Sequence, residues 1–316
     1  MPHHPSIETR RFALLAQKQL SQPIDTTPTL FEHSRSYTTT TPILTQHHRN
    51  HGSPILCRRQ FQDVLPIPPI LNPPTNPSSD RNGTIDSIKE IVNNLNSATC
   101  DSNTEVVIAP PALYLLLTRE HLRAGIEVAA QNVFDRPNGA FTGEISVAQL
   151  KDSNITWTVL GHSERRVILQ ETNKFVADKT KAALDGGIGV ILCCGETLEQ
   201  REAEKTMDVV LAQLKAVSDV QKDWSKIVVA YEPVWAIGTG KVASNEQAQE
   251  VHKGIREWLG EELGKEVAEK TRVIYGGSVS EKNCRELAKE GDIDGFLVGG
   301  ASLKPAFVDI INARKE

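Results

Sequence analysis

The chain predicts an α/β fold on a parallel sheet, and three observations carry that prediction. First, seven short apolar runs recur: Val106-Val107-Ile108-Ala109, Ile126-Glu127-Val128-Ala129, Trp157-Thr158-Val159-Leu160, Val190-Ile191-Leu192-Cys193, Ile227-Val228-Val229-Ala230, Val273-Ile274-Tyr275 and Phe296-Leu297-Val298. They are almost continuously apolar, as parallel strands covered on both faces are. Second, stretches of helical spacing separate them. Third, polar and glycine residues collect just after the runs, at the carboxyl ends of the strands, where such folds carry their active sites. Seven strands is one short of a closed (β/α)8 barrel. An open doubly wound sheet is the alternative, but no G-x-G-x-x-G follows the first run.

Taken in order, residues 1–82 and 83–316 differ in texture. The first part is crowded with Pro, Thr, Ser, Gln and His, as in Thr38-Thr39-Thr40-Thr41-Pro42 and Pro66-Ile67-Pro68-Pro69. It predicts a disordered segment, with a short helical patch over 10–20. Acidic residues are sparse up to about residue 60, which leaves a targeting role open, but arginine is not abundant and no clean cleavage signal is present. From Asn82-Gly83 onward the pattern is regular. Thr84 caps a helix whose apolar positions are Ile85, Ile88, Val92 and Leu95. Further helices are expected over 174–186, 198–217 and 246–263, between the strand runs.

The bulk numbers narrow the function classes. A chain of 316 residues with net charge −5 and pI near 6.0 holds one large α/β domain or two small ones. That balance favours neither nucleic acid nor a membrane surface. No apolar run approaches the roughly 20 residues that span a bilayer. The five cysteines (Cys57, Cys100, Cys193, Cys194, Cys284) are odd in number and form no C-x-x-C. Metal and disulfide frameworks are therefore disfavoured, which suits a reducing compartment.

The chemistry is expected at the strand ends. Residues 231–241 read Y-E-P-V-W-A-I-G-T-G-K. Glu232 stands where a strand ends, and Pro233 has no N–H to continue the ladder. A bulky Trp235 and a Gly-Thr-Gly tip follow. This arrangement suggests a base under a moving lid, against the plainer reading of a strand-capping Glu before an ordinary loop. His162 follows another strand and opens a helix, whose N-terminus favours a neutral imidazole able to donate to a substrate oxygen. Glu164 lies close enough in sequence to matter to that site. Arg165 and Arg166 read as structural ion pairs. Gly276-Gly277-Ser278 and Gly299-Gly300 follow the last two strands, the second just before a short helix start at 301–303. Glycines let backbone N–H groups approach an anion, and loops after the last two strands of a barrel are its usual phosphate seat; two tight turns are the plainer reading.

These residues make residues 82–316 resemble triosephosphate isomerase. The shared motifs are A-F-T-G-E at 140–144, G-H-S-E-R-R at 161–166, C-C-G-E at 193–196, the stretch 231–241, Y-G-G-S-V at 275–279 and G-F-L-V-G-G-A-S-L at 295–303, in family order and spacing. The resemblance implies a homodimeric (β/α)8 TIM barrel of the cytoplasm that interconverts two triose phosphates in glycolysis and gluconeogenesis, without cofactor or metal. It implies Glu232 as the base that moves a proton through an enediolate, and His162 as the neutral electrophile, with Ser163 and Glu164 supporting. Pro233, Val234, Trp235, Ala236, Ile237, Gly238, Thr239, Gly240 and Lys241 would form the lid. Gly238, Ser278, Gly299 and Gly300 would hold the phosphate. Thr142 would tip the loop that inserts into the neighbouring subunit.

The sequence departs from the family at one place. The family's first strand ends G-G-N-x-K-x-N-G, and only its last two residues stand here, as Asn82-Gly83. No lysine occurs between Lys18 and Lys89. The proline-rich run upstream cannot serve as a central strand. The expectation is a barrel lacking or substituting strand 1, with unpaired edges on its neighbours, and residues 1–81 as either a genuine extension or a mis-joined exon. The site also loses a cation, and removing one positioned electrostatic group typically costs about 10²–10³ in rate. Arg81 is the nearest substitute. Two other functions stay in view: a non-catalytic relative retained for binding or scaffolding, and another phosphate-binding barrel enzyme.

Overall fold

A computed structural model of the chain describes residues 60–62, 83–237 and 243–315. The described residues belong to one compact unit, residues 55–316. In chain order they form β1 (Gln60–Gln62), α1 (Ile85–Ser97), β2 (Thr104–Ile108), α2 (Leu115–His121), β3 (Ile126–Ala130), α3 (Val147–Asp152), β4 (Trp157–Leu160), α4 (Ser163–Ile168), α5 (Asn173–Asp185) and β5 (Gly189–Cys194). Then come α6 (Leu198–Glu202), α7 (Thr206–Ser218), β6 (Ile227–Tyr231), α8 (Asn245–Leu263), α9 (Lys265–Lys270), β7 (Arg272–Tyr275), α10 (Cys284–Leu287), β8 (Gly295–Phe296) and α11 (Phe307–Ile311). Each strand pairs in parallel with the next, and β8 returns to β1, so the sheet closes into a barrel.

Closure corrects one expectation. The edges of β2 and β8 are not unpaired. Gln60, Phe61 and Gln62 lie opposite Thr104, Glu105 and Val106, and Gln62 also faces Phe296. The strand position is thus substituted by three residues well upstream of Asn82-Gly83. The rest of residues 1–82 lies outside the described residues, and with it the expected disordered segment and Arg81.

Local chemistry accounts for the helix starts. Thr84, Ser146, Thr197 and Ser244 each close a capping box at the head of α1, α3, α6 and α8. Such a cap satisfies two of the backbone donors that a helix start leaves open. The helix expected over 198–217 is broken in two. Glu204 takes a left-handed φ of 57°, and Lys205 N–H returns to Gln200 O at 2.9 Å, which ends α6 before α7 begins.

The strands split their side chains between two cores. Val107, Ala109, Ala129, Val159, Ile191, Cys193, Val228, Ala230, Ile274 and Leu297 pack together inside the barrel. Their neighbours, among them Val106, Ile108, Val190, Leu192, Val229 and Tyr231, pack outward against the helices. This period of two, with both faces apolar, is why the runs read as unbroken hydrophobic stretches. Ala109, Ala129, Cys193 and Ala230 stand toward the carboxyl ends of their strands. The polar residues that follow these strands stand at the same end of the barrel.

Candidate active site

Glu232 follows β6 directly and is 1% exposed. Its N–H donates to Cys194 O at 2.7 Å, continuing the β5–β6 ladder by one residue. One carboxylate oxygen, Oε2, accepts from the Ser163 N–H at 2.9 Å. The other, Oε1, lies 3.1 Å from His162 Nε2 but out of line for a hydrogen bond. Two glycines make room for Glu232, one for its backbone and one for its side chain. A Cβ at Gly195 would lie 1.7 Å from Glu232 O, and one at Gly276 would lie 3.0 Å from its Cγ.

His162 caps α4, and its Nδ1 accepts from the Glu164 N–H at 3.3 Å. An imidazole nitrogen that accepts is unprotonated, so the ring proton of the neutral form sits on Nε2, facing Glu232. Helix start, tautomer and proton direction thus follow from one turn of chain. Glu164 lies 4.0 Å from His162 Nδ1. Burial raises its carboxyl above the ordinary value; the His162 side chain opposes that shift and the Glu232 charge adds to it. Burial, and then the charge of Glu232, push the Cys193 thiol well up, so it stays neutral beside that carboxylate.

The stretch after Glu232 turns away through Pro233 and a 3-10 turn at Val234–Ala236. Trp235 Nε1 donates to Glu196 Oε1 at 2.9 Å. Tyr231 donates its hydroxyl to the same fully buried carboxylate, 3.1 Å from each oxygen, and Arg201 approaches it at 3.3 Å while lying over the Trp235 ring. The first residues of the expected lid are therefore anchored on β5 and β6. Ser278 Oγ donates to Ala236 O at 2.9 Å, which ties the loop after β7 to the same segment. Gly238, Thr239, Gly240 and Lys241 lie outside the described residues. Gly299 and Gly300 are exposed at the head of a 3-10 turn, Gly300–Leu303, after β8, with open space above both Cα atoms. Thr142 stands exposed in the loop between β3 and α3.

The structure thus brings together Glu232, His162, Ser163 and Glu164, and separately joins Ser278 to Ala236 in the stretch after Glu232. Sequence reasoning gave Glu196 no role. Its signal was present: a buried Tyr231 and a half-buried Trp235 each carry a donor that needs an acceptor. Arg165 forms the expected ion pair, at 2.8 Å from Glu171. Arg166 corrects the expectation, because its partners are the Gly161 and Cys193 carbonyls and the Asn173 amide oxygen.

Comparison with known proteins places this arrangement. The family model for triosephosphate isomerase matches residues 80–314, which leaves β1 outside the matched segment. A triosephosphate isomerase of Emericella nidulans is 68% identical over 235 residues, 74% of this chain and 94% of that protein. One from Aspergillus oryzae is 65% identical over 237 residues, covering 74% and 94%. A protein of Oryza sativa subsp. japonica named cytosolic triosephosphate isomerase is 58% identical over 234 residues, covering 73% and 92%. With most of each relative covered at such identity, the chain belongs to the triosephosphate isomerase family.

Proposed function

We propose that this isomerase interconverts dihydroxyacetone phosphate and D-glyceraldehyde 3-phosphate, with Glu232 as the base. The observation that carries the reading is one buried carboxylate at a strand end, 3.1 Å from an imidazole whose other nitrogen is held by a backbone N–H. Glu232 takes a proton from the carbon beside the carbonyl and returns it to the neighbouring carbon. The His162 Nε2–H polarises the carbonyl oxygen and stabilises the enediolate between those steps. This division of labour is the one for which the family itself is the standard example. Residues 233–241 close over the site, exclude water and keep the enediolate from eliminating phosphate, a lid role for which the family is again the standard case. Gly238, Ser278, Gly299 and Gly300 bind the phosphate through backbone N–H groups. No metal or cofactor enters this scheme.

The same reading makes the protein a homodimer. Thr142 and the exposed Phe141 belong to a projecting loop, and the exposed apolar side chains of Leu113, Leu116, Val167, Ile168 and Leu169 supply surface for a second copy. Among the described residues no helix is long and apolar enough to cross a membrane, and the cytosolic Oryza relative supports a cytoplasmic site of action. Residues 1–81 are read as an extension ahead of the family-matched segment, genuine or a mis-joined exon, from which Gln60–Gln62 closes the barrel as β1. Coupled assays in both directions with the two triose phosphates test the function. Turnover together with tight binding of a phosphohydroxamate, a mimic of the enediolate, supports it. Failure of both refutes it.

A further inference from the structure

Arg166 is a charged side chain near the site to which the proposed mechanism gives no task. It springs from α4 and folds back on the start of that helix. Its Nε–H donates to Gly161 O at 2.7 Å, one terminal nitrogen donates to Asn173 Oδ1 at 2.8 Å, and the other to Cys193 O at 3.3 Å. All three acceptors are neutral. A partly buried guanidinium held by neutral acceptors alone is less favoured than one with a carboxylate partner, and burial pushes it below its ordinary value. Arg165 next to it has the ion pair instead.

The three bonds grip the two halves of the site. Gly161 is the residue before His162, so its carbonyl fixes the peptide on which the imidazole hangs. Gly161 has a left-handed φ of 74°, and a Cβ there would meet the guanidinium and Cys193 O, each at 2.9 Å. Cys193 O lies one residue before Cys194 O, which accepts from the Glu232 N–H at 2.7 Å. Arg166 and Glu232 therefore hold consecutive carbonyls of β5. Between Gly161 and Arg166 lie His162 and Ser163, whose side chain and N–H face Glu232 at 3.1 and 2.9 Å.

We infer that Arg166 is a positioning residue, a guanidinium staple that sets His162 and the Ser163 N–H against Glu232. The inference rests on the roles given to those residues above. A lysine offers one compact donor group and cannot span the three acceptors as the planar fork does.

The test uses the full chain with Arg166→Met, Arg166→Lys and Asn173→Ala, the last removing one acceptor and keeping the charge. Two readouts are taken. Imidazole 15N NMR reports the His162 tautomer without any need for activity, and steady-state kinetics separate kcat from KM. In the unaltered protein His162 is expected as a single Nε2-protonated tautomer. Arg166→Met is expected to mix the tautomers and to lower kcat about 10²-fold, the effect of roughly 1 Å of misplacement, while KM stays within about threefold. Arg166→Lys falls between, and Asn173→Ala loses about tenfold in the same direction. A single unchanged tautomer and full kcat in Arg166→Met overturns the inference; so does a kcat loss that only follows the folded fraction, or, should Arg166→Met not fold, a silent Asn173→Ala. If the unaltered protein turns over neither triose phosphate, the function assigned above fails, and the tautomer comparison still decides the role of Arg166.

Discussion

Gly195→Ala is the sharpest probe of how closely the site is built. Gly195 directly follows β5 where the chain passes Glu232, and an added methyl would sit 1.7 Å from Glu232 O and 2.7 Å from its carbonyl carbon. Real Cβ atoms essentially never approach a heavy atom within 3.0 Å. The obstacle is backbone, so no side chain can swing aside. Either β5 or the Glu232 peptide must shift by roughly 1 Å or more. Glu232 is held to β5 through its N–H bond to Cys194 O, so a shift of either backbone is expected to carry the carboxylate with it. Misplacing a reacting group by about 1 Å costs on the order of 10²-fold in rate, or about 2.7 kcal/mol of barrier. Steady-state assay in both directions should show kcat down about 100-fold with a folded far-UV spectrum. A kcat within threefold of the unaltered protein would refute the claim that this contact positions the base.

Two further outcomes follow from buried groups. His252 on α8 is fully buried between Tyr231 and Tyr275, donating from Nδ1 to Ala248 O at 2.7 Å, and burial pushes it from 6.5 down to about 4. The unfolded chain takes up the proton as pH falls below 6.5, and the folded protein does not until about pH 4. Stability is therefore full above 6.5 and declines by about 3 kcal/mol between 6.5 and 4; urea midpoints at pH 7.5 and 4.5 should differ accordingly, and His252→Gln should flatten that dependence. Glu196→Gln leaves Tyr231, Trp235 and Arg201 around a neutral amide. Each charge-assisted bond is worth about 1.5–3 kcal/mol, so thermal unfolding should fall by roughly 5–10 °C, with kcat reduced if the stretch after Glu232 acts as the proposed lid. An unchanged melting temperature contradicts the anchoring role of that carboxylate.

The parts of the fold that were legible are those with one dominant physical cause. The seven runs from Val106 to Val298 had to be strands because both faces of a closed parallel sheet are covered. The Thr84 cap was legible from a hydroxyl before an apolar helical repeat. Strand β1 was not, because Gln60-Phe61-Gln62 carries no apolar run and its pairing to β2 and β8 is a matter of closing a ring that no local pattern encodes. The break in 198–217 turned on one left-handed residue, Glu204, inside an otherwise continuous helical pattern. β8 is printed in the sequence as Phe296-Leu297-Val298, yet its regular pairing ends at Phe296; Leu297 still donates to Tyr275 O at 2.9 Å as the chain leaves the barrel. In the site, Glu232 and His162 were visible because a strand end exposes polar residues one at a time. Arg166 and Glu196 were not, since what distinguishes them is the partner, a carbonyl or an indole supplied by another strand.

The central claim is that Glu232 is the base. Glu232→Gln keeps the size of the side chain and the acceptor for the Ser163 N–H while removing the basic oxygen. Its kcat, measured on the folded variant beside the unaltered protein, tests the claim most directly. The account predicts a loss of at least about 10³-fold, within the range that a positioned general base contributes. A variant that retains kcat within tenfold would place the proton transfer on another group and contradict it.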